Sequence, residues 1–512
     1  MPRVSAVSGM HNGSAAQARL GMIAAVIGML LMIAADILCF GPLLKGAAGP
    51  VEPVREEQEE LEPEPEQVKE EETPVFDVPE TAPEVDYRRL VCVPTNALPI
   101  REEPGGKGDA LTELPPGTML RWYGEEVAAG GNLFYHVETE DGAFEGYVTE
   151  RYVIPVETPA DEALLDIVDT TDALYTYEEM EEDIAELLVR YPDRIADEVI
   201  GESLDGRQLH ALTIGEPEAP QHIMMQAAIH GREYMASQLA MKLAEYYCTY
   251  YDAGTYRGIP YRELFAHTAI HLIPMANPDG VTISQYGAEG LRDPEYREAV
   301  LGAYERERLK FTLEEDVDEH TGWVDHYRIK GYDASLTGDG PFITQGEYTA
   351  IWKADARGVD LNRNFDAGWE EVELKEEPAH SSYKGEVPCS EPEVRALTEY
   401  SERYDHLCYV NYHARGNIIY YDAVGSTEEV SAASEDLAKR LQAVTKYDIV
   451  NTTEVNNVNP GGFGDWAQRI LGKPGVTIEV GRYPCPLEIG EFPGMWGRNR
   501  ETWAMLLADA IS

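Results

Sequence analysis

Gln226-Ala-Ala-Ile-His230-Gly-Arg-Glu233 closes a mostly apolar run that begins at Ile223. The run reads as a buried strand, and a helix starting at its end puts positions i and i+3, His230 and Glu233, on one face. An imidazole and a carboxylate converging on one point are two members of the His₂Glu set that holds a catalytic zinc and leaves a fourth position for water. Alone, a His-x-x-Glu pattern reads first as the start of a surface helix.

Other runs end in the same way. His413 closes His406-Leu-Cys-Tyr-Val-Asn-Tyr-His413, Glu479 closes Gly475-Val-Thr-Ile-Glu479, and Asn277 closes a run that begins at Thr268. Short apolar runs alternating with helical patterns are the signature of buried strands in an α/β sheet. Ligand sites in such sheets lie outside the carboxyl ends of the strands. The metal-ligating and proton-handling candidates therefore share one kind of position in the expected fold, a mixed sheet with helices on both faces.

The segments His230-Gly-Arg-Glu233, Asn277-Pro-Asp-Gly280, Gly358-Val-Asp-Leu-Asn-Arg-Asn-Phe365, Tyr412-His413, Gly461-Gly462 with Asp465-Trp466, and Thr477-Ile-Glu479 follow one another across residues 174–510. In this order they resemble the zinc carboxypeptidase (carboxypeptidase A-like) family. Trp352-Lys-Ala-Asp-Ala-Arg-Gly358 and the tail Phe492-Pro-Gly-Met-Trp-Gly-Arg-Asn499 resemble its bacterial branch that cuts γ-D-glutamyl-meso-diaminopimelate bonds. The resemblance implies one zinc per chain held by His230, Glu233 and His413, with Glu479 as general base and then general acid. It also implies a substrate carboxylate gripped by Asn362 and Arg363, and a further cleft arginine at Arg232. Arginine suits the carboxylate because its planar fork binds bidentately. A third cation is expected at the developing oxyanion. Counting from Trp352 it is Lys353, by charge type it is Arg357, and Arg357 is preferred. Two positions depart from ordinary carboxypeptidases. Asn457 stands where a substrate-capping tyrosine is usual, and Gly464 supplies no side chain where the family sets its side-chain preference.

The rest of the 512 residues read as a delivery system. A formal net charge of −52 repels phosphate and argues against nucleic acid or an anionic membrane surface as the partner. Six cysteines show neither zinc-ribbon nor disulfide spacing. Residues 1–19 are expected to be cytoplasmic. Residues 20–44 are apolar apart from Asp36 and long enough to span a bilayer, with positive charge before them. They read as a transmembrane anchor, or as a signal segment cut near Gly46-Ala-Ala-Gly49. Residues 45–87 are rich in Glu and Pro and read as a disordered spacer.

Residues 88–156 alternate short apolar runs with turns at Pro104-Gly-Gly, Pro115-Pro-Gly117 and Asp141-Gly142, the pattern of a small β-barrel. Asn96-Ala-Leu-Pro-Ile-Arg-Glu-Glu-Pro104 with Glu145-Gly-Tyr-Val148 and Tyr152 is similar to the bacterial SH3-like domain, which implies binding to wall peptides. Residues 174–512 form the expected peptidase domain, interrupted between Ser284 and Gln345 by a charged stretch without strand pattern. The expectation is an exported, membrane-tethered zinc metallopeptidase acting on peptidoglycan stem peptides. Alternatives are a metallocarboxypeptidase for ordinary peptides, and a wall-binding protein whose peptidase domain is inactive. Retention of His230, Glu233, His413 and Glu479 together argues against the latter.

Overall fold

The computed structural model describes residues 87–511 except 95, 107–108, 159, 318–323, 333–341, 455–459 and 483. The expected anchor at 20–44, the spacer up to residue 86, and Asn457 lie outside the described residues. Among the described residues no helix is long and apolar enough to cross a membrane.

The first module contains β1 (Arg88–Cys92), β2 (Leu98–Arg101), β3 (Ala110–Leu114), β4 (Met119–Ala129), β5 (Asn132–Thr139), β6 (Glu145–Thr149) and β7 (Val153–Val156). They form one antiparallel sheet in the order β3-β2-β6-β5-β4-β1-β7. Leu114 of one edge strand and Val153 of the other share a core with Leu90, Ile100, Leu120 and Val148. The sheet is therefore curled on itself, as the alternating pattern requires. A register shift between Trp122 and Glu126 bends the long strand β4.

The second module is built on eight strands: β8 (Ile195–Glu202), β9 (Gln208–Ile214), β10 (Gln221–Ala227), β13 (Thr268–Ile273), β16 (Tyr409–His413), β17 (Ile418–Tyr421), β18 (Asp448–Asn451) and β19 (Gly475–Glu479). A two-strand ribbon, β11 (Thr255–Tyr256) with β12 (Ile259–Pro260), stands beside them in sequence. The order is β18-β17-β19-β16-β10-β13-β9-β8. The four central strands β19, β16, β10 and β13 are parallel, and β9 and β17 join them antiparallel.

Strand alternation explains why these runs are apolar throughout. Ile223, Met225 and Ala227 of β10 point into a core shared with the helices Tyr234–Thr249, Glu428–Thr445 and Thr502–Ile511. Met224 points to the other face, into a core shared with the helices Pro392–Ser401 and Phe463–Arg469. The sheet is thus a mixed α/β layer covered on both sides. Helix Tyr234–Thr249 is enclosed on every side, all its residues from Tyr234 to Cys248 being buried. Its one acid–base pair, Lys242 with Glu245, is satisfied internally at 2.9 Å.

The charged stretch after Ser284 contains more order than its pattern predicts. Asp293 caps a helix at Pro294–Glu307 through the Glu295 amide. Residues 310–339 belong to a separate unit, whose described part is the antiparallel hairpin β14 (Phe311–Val317) and β15 (Val324–Tyr332).

The tail segment Phe492–Asn499 is a helix that abuts the first module. A Cβ on Gly497 would stand 2.9 Å from Val93 Cγ1 and 3.3 Å from Val91 Cγ2, so glycine lets the helix approach the end of β1 this closely. Arg498 is buried between the two, donating from Nη2 to the Val93 carbonyl at 2.6 Å and from Nη1 to the Thr445 carbonyl at 2.8 Å.

Candidate active site

The central parallel strands end at one edge of the sheet, with His413 as the last residue of β16 and Glu479 the last of β19. After β10 the chain turns sharply at Ala228, whose φ of 51° is uncommon for a residue with a side chain. Its carbonyl accepts from the Asn277 amide at 3.2 Å, which holds the turn. His230 is still extended, and Gly231–Glu233 is a single 3-10 turn that precedes the long helix. The expected helix start is therefore a tighter turn, and it brings Glu233 back onto His230 at 3.0 Å. Gly231 has to be glycine, because a Cβ there would meet Gly280 backbone at 2.2 Å.

His230, Glu233 and His413 converge. Glu233 lies 3.0 Å from His230 Nδ1 through Oε1 and 2.9 Å from His413 Nδ1 through Oε2, and the two Nδ1 atoms are 3.2 Å apart. Ligands about 2.0–2.1 Å from a tetrahedral zinc stand roughly 3.3–3.4 Å from one another, so the three side chains already form one face of such a site. All three are buried. Burial alone would raise the Glu233 carboxyl, but the His230 and His413 imidazoles hold it well below the usual range.

Residues to which the sequence reading assigned no function hold this cluster in place. Asp360, 2 % exposed, sets Oδ1 3.3 Å from His230 Nε2, the ring nitrogen turned away from the cluster. A carboxylate behind a ligating imidazole fixes its orientation and raises its basicity. The signal was in the sequence, an aspartate two residues before the Asn-Arg pair. Asn277 donates from Nδ2 to the carbonyls of Ile229, Lys353 and Ala354 at 3.0–3.1 Å. It ties the segment before His230 to the Trp352–Ala354 segment, and it is a clamp rather than a ligand.

The two cation candidates separate. Lys353 places Nζ 3.8 Å from Glu233 Oε1. Arg357, preferred by charge type, points elsewhere: Nη2 and Nε donate to Glu391 Oε2 at 2.6 and 3.2 Å. A buried glutamate captures the guanidinium, so the structure brings Lys353 to the metal cluster and not Arg357. Arg232 sits on the turn between the two ligands, near enough to act electrostatically on Glu479.

Glu479 faces Glu233 and His413. Burial, reinforced by the Glu233 carboxylate, pushes its carboxyl up to about 7, against the opposing pull of His413, Lys353 and Arg232. A carboxyl in that range can both accept and return a proton near neutral pH.

Beside the cluster opens a cavity of about 140 Å³ lined by Glu479, His413, Asn362, Arg363, Asn411 and Thr477, among others. The Asn362-Arg363 turn packs against Gly461-Gly462, where a Cβ would strike Arg363 and Asn362 at 2.8 Å. Asn362 Oδ1 accepts from the Phe463 amide at 3.1 Å, and Arg363 Nη1 donates to the Asn362 carbonyl at 2.6 Å. Asp465 accepts from the Gly462 amide at 3.0 Å, and burial pushes its carboxyl up to about 6. A Cβ on Gly464 would lie 3.2 Å from Asn411 Nδ2 and 3.8 Å from Thr477 Oγ1. With glycine there, the cavity floor is an amide and a hydroxyl.

Two histidines and a glutamate at the carboxyl end of a mixed sheet, with a half-buried glutamate beside them, define a zinc metallopeptidase. The chain belongs to the zinc carboxypeptidase family, which residues 180–492 match, and His230, Glu233 and His413 hold its one catalytic zinc. Residues 96–154 match the bacterial SH3 domain. The chain is 25% identical over 321 residues to γ-D-glutamyl-L-diamino acid endopeptidase 1 of Lysinibacillus sphaericus, covering 62% of this chain and 68% of the relative. It is 27% identical over 329 residues to the uncharacterized protein YqgT of Bacillus subtilis (strain 168), covering 63% and 74%. Among solved structures, bovine thrombin-activatable fibrinolysis inhibitor aligns over 66% of this chain and 97% of its own, with a TM-score of 0.47 at 17% identity.

Proposed function

We propose that this zinc peptidase is exported and cuts peptidoglycan stem peptides at the bond between γ-D-glutamate and diaminopimelate. The observation that carries the reading is the polar cavity beside the metal cluster. Its floor is Asn411 and Thr477, and its guanidinium, Arg363, is paired with no carboxylate among the described residues. An apolar side chain would leave the Arg363 guanidinium without a charged partner beside a polar floor, whereas a side chain carrying a carboxylate can engage it. The Lysinibacillus relative, a γ-D-glutamyl-L-diamino acid endopeptidase by name, is in keeping with such a substrate.

Zinc in the cluster supplies a Lewis acid and an acidified water. In this reading Glu479 takes the water proton and returns it to the leaving amine. Arg363, with Asn362, holds a substrate carboxylate, while Arg232 and Lys353 place positive charge where the carbonyl oxygen becomes negative. Residues 20–44 anchor the chain in the membrane with the catalytic module outside, the acidic spacer gives it reach, and the docked SH3-like module binds the wall.

The test is a comparison of initial rates for the zinc-loaded protein on a γ-D-glutamyl-meso-diaminopimelate peptide and on an all-L peptide with a free C-terminus. Faster release of diaminopimelate is expected. Faster cleavage of the all-L peptide would replace this reading with an ordinary carboxypeptidase.

A further inference from the structure

The cavity beside the metal cluster holds a second charge that the proposed chemistry leaves unused. Asp422 lines it together with Arg363. It follows β17, which runs antiparallel to β19 with Ile418 opposite Glu479 and Tyr421 opposite Val476. Asp422, four residues beyond Ile418, therefore stands about 13 Å along the strand from the position opposite Glu479, so the two carboxylates line the cavity well apart.

The carboxylate is held ready. Asp422 adopts φ 70°, a left-handed conformation that aspartate tolerates better than most residues. Its Oδ1 accepts from Ser431 Oγ at 2.6 Å, and its Oδ2 from Asn451 Nδ2 at 3.4 Å. Every one of these donors is neutral, and among the described residues no cation pairs with Asp422. The nearby acid Asp465 is different, because it caps its own helix through the Gly462 amide. A partly buried carboxylate fixed by neutral donors and facing a cavity lacks one thing, a positive charge, and the cavity is where that charge can enter.

We infer that Asp422 is a specificity-determining residue that receives a primary ammonium group at the far end of the substrate side chain. The inference rests on the peptidase reading above and names which part of a diamino acid is read, and by what. With Arg363 on a carboxylate and Asp422 on an ammonium, the cavity fits a side chain ending in an amino group. Its polar floor suits one that carries a carboxylate there as well.

The test uses zinc-loaded full-length protein, wild type and Asp422→Asn, on two pairs of substrates. One pair is γ-D-glutamyl-meso-diaminopimelate against γ-D-glutamyl-2-aminopimelate, and the other is an all-L peptide ending in lysine against norleucine. Within each pair only the distal ammonium differs, and a ratio of kcat/KM taken in one preparation is unaffected by the fraction folded. Wild type is expected to favour the ammonium member by about 10- to 100-fold, the weight of a charged hydrogen bond, and Asp422→Asn to bring the ratio close to one. A preference that survives in Asp422→Asn, or no preference in wild type, overturns the inference. Which scaffold is cut judges the wall-peptide reading separately. If neither is cut, calorimetric binding of free meso-diaminopimelate against 2-aminopimelate decides the Asp422 inference by the same ratio.

Discussion

His413 and Glu479 are direct register partners on the neighbouring parallel strands β16 and β19, each the last residue of its strand. Adjacent strands run about 4.8 Å apart, so the sheet itself sets the distance between a metal ligand and the carboxyl proposed to move protons. The other two ligands come from the turn after β10, which pairs with β16 on its other side. One strand thus fixes the registry of the whole centre, and its two neighbours supply the rest.

His413→Ala is expected to lose most of its zinc while keeping the fold. Apparent zinc free energies of about 10–16 kcal/mol spread over four ligands make one ligand worth about 3–4 kcal/mol, so Kd rises by roughly 10²–10³. Metal analysis after dialysis against a weak chelator measures this. A stoichiometric metal content in the variant would remove His413 from the site.

Glu479→Gln is expected to keep one zinc and the wild-type unfolding temperature, because the amide has the same shape as a protonated carboxyl. Its kcat falls by about 10²–10⁴, the contribution of general acid–base catalysis. Turnover close to wild type with zinc bound would mean that another group handles the proton.

Asp360→Ala is expected to weaken zinc affinity by about 10–100-fold, because the His230 ring loses the carboxylate behind Nε2. Competition titration with a zinc chelator reads this directly. Unchanged affinity would show that the ring is oriented by its packing alone.

Much of this centre was legible in the sequence because strand ends announce themselves. An apolar run that stops on His or Glu carries both the strand and the polar group at its mouth, and His413 and Glu479 are where that pattern puts them. The sheet order was not legible, because β9 and β17, which join the parallel strands antiparallel, carry apolar runs like theirs. Arg357 was preferred because charge type is visible in a sequence and the buried Glu391 that captures it is not. The Phe492–Asn499 motif showed its residues but not its contact: Gly497 and Arg498 meet Val93, about 400 residues earlier in the chain. The hairpin at β14 and β15 was missed because its strands are rich in charge and lack clean alternation.

Glu501 gives the protein a pH-dependent stability that is independent of the metal. It is 2 % exposed between the last two helices. Burial pushes its carboxyl up to about 7, the Glu157 carboxylate adds to this, and the Arg500 guanidinium, 3.9 Å away at Nε, opposes it. The tyrosines Tyr246, Tyr247, Tyr256 and Tyr261 also face it, and their hydroxyls stay neutral over this range. In the unfolded chain the same carboxyl ionises near 4.5. Between these values the unfolded state has released a proton that the folded state retains, so stability falls as pH rises from about 4.5 to about 7 and stays low above it. The loss at pH 8 is on the order of 3 kcal/mol. Glu501→Gln, which resembles the protonated form at every pH, is expected to melt several degrees above wild type at pH 8 and together with it near pH 4.5. Zinc-free samples of both proteins, followed by calorimetry across that range, separate this effect from metal binding. An equal difference at both ends would mean that the substitution acts through packing and not through the charge.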